Sequence, residues 1–177
     1  MFAFLTPETI EYVQAATLLV AALLVLAVAV IDVRTFKIPN KINLALLGVG
    51  IFYALTVADF PWVLHVGCGV LMFLVGAVLF QFRMLGGGDV KFLSVVAFWA
   101  GLQYMMGFAV VTALAGGIIS GIYLLKGWLK SRRLKAADPA TDYNFLHESV
   151  PYGVAIAAGA VYVFLSIVGH LELVVRM

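Results

Sequence analysis

Hydrophobic and polar positions in this chain fall into long blocks rather than into a short alternation. Apolar stretches at roughly 11 to 31, 42 to 58, 62 to 82 and 150 to 171 each match the ~20 helical residues that a hydrocarbon core of about 30 Å requires. From residue 92 to residue 125 no side chain is charged. As one helix that stretch would be about 51 Å long, so two crossings are expected instead. Their turn falls near Gly101 to Gly107, where Trp99, Gln103 and Tyr104 suit an interface. The pattern predicts an all-α polytopic membrane protein with six transmembrane helices.

The basic residues test that count, because cytoplasmic loops are enriched in Lys and Arg. Six spans place Arg34, Lys37, Lys41, Arg83, Lys91, Lys126, Lys130, Arg132, Arg133 and Lys135 on one side. The other side receives only Arg176, together with Glu8, Glu11, Asp59 and Glu172. Both termini are therefore expected outside, and residues 126 to 149 form a cytoplasmic loop that is basic in its first half. Asp138-Pro139 should end any helix there. No second domain is visible, so residues 1 to 177 read as one transmembrane domain.

Composition removes several classes of function. The chain is 64% hydrophobic and 11% charged, against roughly 45–50% and 25% in soluble domains, so lipid must cover its surface. A net charge of +2 gives no basic face for nucleic acid. Cys68 is the single cysteine, which excludes an intrachain disulfide framework and a Cys-rich zinc module. His65, His147 and His170 lie in different segments and read as interfacial or loop residues. No metal or other cofactor is expected. The stretch before the first apolar run has Glu8 and no Lys or Arg, so that run is expected to stay as a span rather than act as a cleaved leader.

Carboxylates at the edge of hydrocarbon are costly, and two stand out. Asp32 ends the first apolar run, and Asp89 opens the fourth span in Gly86-Gly87-Gly88-Asp89-Val90-Lys91. Both fall at the cytoplasmic boundary. If the first and fourth helices are neighbours, the two carboxyl groups can meet, and a pair sharing one proton can hydrolyse a peptide bond by activating water. The plainer alternatives are that Asp89 is a helix N-cap and that Asp32 pairs with Arg34 or Lys37. Asp89 at a helix N-terminus would start as base and Asp32 at a C-terminus as acid, provided the first helix ends near Asp32. Gly86, Gly87 and Gly88 either form a turn, or allow positive φ and a close approach of substrate backbone. Lys91 serves a neighbouring carboxylate or substrate, or simply flanks a helix; Asn40 caps the second helix or binds substrate backbone. Gly117-x-x-x-Gly121 permits close helix packing.

Gly86-Gly87-Gly88-Asp89-Val90-Lys91 resembles the Gly-x-Gly-Asp signature of the type IV prepilin peptidases, membrane aspartyl proteases whose other catalytic aspartate ends the first core helix. Arg34 with Ile38-Pro39-Asn40 is similar to the stretch after that first aspartate, and Pro151-Tyr152-Gly153 to a Pro-aromatic-Gly element before the last span. The resemblance implies one peptidase domain at the inner membrane, with Asp32 and Asp89 catalytic and its active site facing the cytoplasm. The implied partner is a prepilin or pseudopilin whose short basic leader is cut before assembly. Long members carry an extra segment with paired cysteines and also methylate the new N-terminus. With one cysteine and no such segment, this chain looks like the short CpaA/TadV type serving Flp (tight adherence) pili, for which methylation is not expected. Asp138, Asp142 and Glu148 either solvate the last loop or offset its basic charge near a cationic leader. Two rival readings are an ion-coupled carrier or pilus assembly subunit using membrane carboxylates, and a signal-peptide-peptidase-like protease.

Overall fold

The computed structural model describes residues 6–137 and 150–175 and consists of helices throughout those segments. They are α1 (Pro7–Thr35), α2 (Asn40–Thr56), α3 (Trp62–Gln81), α4 (Gly87–Ala137) and α5 (Tyr152–Val175). Glu8–Thr35, Trp62–Gln81, Gly87–Leu134 and Tyr152–Leu171 are long and apolar enough to cross a membrane. α2 is apolar but has 17 residues, about 25 Å of helix.

Local chemistry explains the boundaries. Thr6 accepts the Thr9 N–H and Pro7 follows at the first helical position, which starts α1. That helix stops where Phe36 turns left-handed, at φ 52°, and its N–H reaches the Asp32 carbonyl at 2.8 Å. Pro39 then holds Ile38 out of the helical region and opens α2.

α4 is two helical limbs joined at Gly101, whose φ of 53° and ψ of −168° are not helical. Contacts along the limbs give their directions. In the first limb, Val90 lies against Gly76, and Ser94 and Phe98 against Gly69, so it runs antiparallel to α3. In the second, Gly107 meets Tyr162, Thr112 meets Gly159 and Gly116 meets Ala155, so it runs antiparallel to α5. Lys91 touches Asn40 and Tyr123 stacks edge-on against Phe36. Both limbs therefore pass beside the α1–α2 corner, the first at its start and the second at Tyr123, and the chain reverses at Gly101.

The core is one buried cluster in which Phe92, Val96, Phe108, Leu46, Val25, Val28 and Val163 are all fully buried. Apolar side chains such as Leu19, Val63, Leu74 and Ile118 remain exposed on the outer faces of α1, α3 and α4, as a lipid-covered bundle requires.

Two expectations need correction. Trp99 does not face lipid or water: it is 3% exposed and its indole N–H donates to the Leu46 carbonyl at 3.2 Å. Residues 126–137 are not loop but the end of α4, which stops immediately before Asp138-Pro139, where proline and its predecessor disfavour helix. Asp138, Asp142, His147, Glu148 and Arg176 lie outside the described residues.

Candidate active site

Asp32 sits in the last turn of α1, three residues before the helix ends. It is 3% exposed. A buried carboxylate is tolerable only when it is hydrogen-bonded, and the donor comes from another helix. The Gly153 N–H, in the first turn of α5, donates to Asp32 Oδ2 at 2.7 Å, with the Val154 N–H beside it. First-turn amides have no partner within their own helix, so Asp32 caps α5 across 121 residues of sequence. A side chain at residue 153 would spoil this. Its Cβ would come 2.7 Å from Asp32 Oδ2 and 2.9 Å from Ile38 Cδ1.

Asp89 lies in the first turn of α4, half-buried. Its Oδ2 accepts the Gly86 N–H at 2.9 Å, and the Gly86 carbonyl takes the Val90 N–H. This is the return half of a capping box, with the acid reaching back to the residue that opens the helix. Asp89 is therefore not itself the N-cap, the plainer alternative in the sequence. No ion pair joins Asp32 to Arg34 or Lys37 among the described residues, so the other plain alternative also fails.

The acids approach by an unexpected route. α1 packs on α5 and α2, and α4 on α3, α5 and α2; α1 and α4 share at most marginal contact. Ile38, in the corner after α1, is the common neighbour. Its tip faces Gly153 and Asp32, while its backbone and Cβ face Gly88, where a Cβ would come within 3.1 Å. Asp32 lies within Coulombic reach of Asp89.

The remaining candidates divide clearly. Lys91 and Asn40 come together, Lys91 Nζ donating to Asn40 Oδ1 at 2.9 Å. Asn40 is the first residue of α2, makes no capping bond, and spends its side chain on α4 instead. Gly86, Gly87 and Gly88 avoid positive φ, which among the described glycines occurs at Gly101 alone. What Gly88 permits is the close approach of Ile38, a neighbour within the chain. The charge assignment from α1 also needs correction. Asp32 does sit at the negative end of α1, but it also sits at the positive end of α5, and the two dipoles act in opposite senses.

Sequence reasoning missed Asn43, which is buried and donates from Nδ2 to the Gly88 carbonyl at 3.3 Å. Its signal was available: a lone amide inside the apolar run of α2, one turn after Asn40. His65, read as an interfacial or loop residue, lies in the first turn of α3 with its Nδ1 2.6 Å from the Phe98 carbonyl at the α4 break.

A model of the type IV leader peptidase family matches residues 19–121. The chain belongs to that family. The match takes in Asp32, Asn40, the Gly86–Asp89 turn, the first limb of α4 and part of the second, and ends before α5. Comparison with curated proteins and with solved structures gave no match. A leader peptidase-type protease accounts for a membrane-spanning helical bundle that brings two acids to one end. Gly153, outside the matched segment, adds to that site a donor for Asp32.

Proposed function

We propose that this leader peptidase is a membrane aspartyl endopeptidase that removes the leader from Flp-type prepilins at the cytoplasmic face of the inner membrane. The observation that carries the reading is the convergence of Asp32 and Asp89 around Ile38 at one end of the bundle. The reversal at Gly101 supports six crossings, since both limbs of α4 reach the α1–α2 corner, the first at Lys91 and the second at Tyr123. Arg34, Lys37, Lys41, Lys91 and Lys126 flank that same end, which supports its facing the cytoplasm with both termini outside.

One acid, ionised, takes a proton from water as the water oxygen attacks the scissile carbonyl carbon. The other, protonated, donates a hydrogen bond to the developing oxyanion and then its proton to the leaving nitrogen as the C–N bond breaks. The pair titrates jointly. Asp89, the more exposed acid, is the one that water and an extended leader reach first.

The test is reconstitution of the purified chain with a Flp-type prepilin. Asp32→Asn and Asp89→Asn should each fold and each lose cleavage by about 100-fold or more, because an amide cannot exchange the required protons. Wild-type cleavage by either variant would remove the pair. A reporter fused after Met177 should report an external location.

A further inference from the structure

Asn43 stands out among the buried polar groups because it lies beside the acids and only half of its amide is used. It is 4% exposed. Nδ2 donates to the Gly88 carbonyl, while Oδ1 is buried with no hydrogen-bond partner. Gly88 directly precedes Asp89, and its other side rests on Ile38. One turn earlier on α2, Asn40 holds Lys91, two residues beyond Asp89. The start of α2 thus grips the start of α4 on both sides of the acid.

An apolar side chain at this depth would leave no polar atom of its own unsatisfied, whereas asparagine leaves one. Asparagine is therefore the less stable choice at this position. Its one interaction fixes the peptide that carries Asp89.

We propose that Asn43 is a positioning residue for the cleavage reaction, holding Asp89 in register with Asp32 through the Gly88 carbonyl. This rests on the assignment of Asp89 as catalytic. Because substrate is not touched, the contribution falls on the chemical step and leaves binding unchanged. A misplacement of a fraction of an ångström in a catalytic group is enough to slow that step.

The experiment measures kcat and KM on reconstituted enzyme for Asn43→Leu, with thermal unfolding in the same detergent and Asp89→Asn as control. Asn43→Leu should remain folded, keep its KM, and lose kcat by about tenfold. Where the leucine variant fails to give a single monodisperse species, Asn43→Ala, which removes the side chain and adds no bulk, replaces it with the same expected split. A folded variant with parental kcat overturns the proposal, as does a loss seen only in KM. If Asp89→Asn cleaves normally, the catalytic assignment itself has failed. If Asp89→Asn is inactive while Asn43→Leu keeps its rate, only the positioning role has failed.

Discussion

At the end of the bundle that holds Gly101, the backbone itself is unusual, with φ 53° and ψ −168°. At the opposite end Gly86, Gly87, Gly88 and Gly153 keep backbone angles open to any residue, and Gly88 and Gly153 are instead crowded by their neighbours. The polar groups differ in the same way. Around the break they are paired: His65 meets the Phe98 carbonyl and the Trp99 indole meets the Leu46 carbonyl. Around the acids each aspartate takes a backbone amide on Oδ2, while Asn43 keeps an idle oxygen. One end is a finished corner that turns the chain. The other end is held by a few specific bonds and can still bind something.

Substitutions should separate the two ends, and the largest effect belongs to the break. Gly101→Ala forces a side chain into a region that only glycine occupies freely, at about 1–3 kcal/mol. It also drives a Cβ into the His65 ring, adding about 1–3 kcal/mol of overpacking. A loss of roughly 4 kcal/mol is expected in thermal or denaturant unfolding in detergent. Introduced into a His65→Ala background, the same substitution should lose the overpacking part and cost only the backbone part. No cost in that background would show that the conformation at residue 101 does not need glycine.

Gly153→Ala should come next and should act on activity rather than on folding. The new methyl meets the Asp32 carboxylate and Ile38, not a forbidden backbone angle. Moving Asp32 by about 1 Å should cost about 100-fold in kcat, with unfolding disturbed less than by Gly101→Ala. Cleavage assays on folded protein check this. A variant that loses stability and activity in equal measure would erase the contrast between the ends.

His65→Ala alone should rank third. It leaves the Phe98 carbonyl, freed by the break in α4, without its partner, a cost of about 1–3 kcal/mol when the group is buried. Since His65 lies at the end remote from the acids, kcat per folded molecule should be unchanged.

Much of this arrangement could be read from the chain. The all-helical character, the long apolar helices and the reversal near Gly101 follow from lengths of apolar sequence, because lipid imposes them. The contacts between helices were not legible. Asp32 looked like the unfavourable end of one helix, and only the packing of α1 on α5 reveals that it caps another. Asn40 has the composition of a cap, yet its partner lies 51 residues away. The Gly86–Asp89 turn announced itself, but the reason for Gly88 is Ile38, a residue with no distinctive chemistry.

The finest test lies within that turn, between adjacent glycines. A Cβ at Gly88 would come 3.1 Å from Ile38 Cβ and 3.2 Å from the Ile38 carbonyl oxygen. These atoms belong to or adjoin the backbone, so they cannot swing aside, and Gly88→Ala must shift the peptide that leads into Asp89. A loss of kcat of about tenfold is expected. At Gly87 the nearest atom would be Phe80 Cε2 at 3.7 Å, an ordinary contact, and alanine there removes freedom from the unfolded chain, worth about 0.4–1 kcal/mol of stability. Gly87→Ala should therefore stay within about twofold of the parent in kcat and unfold slightly later. If it instead cleaves as poorly as Gly88→Ala while remaining folded, the exposed edge of the turn is needed by the incoming leader. Close approach would then matter between the turn and its substrate as well as inside the protein.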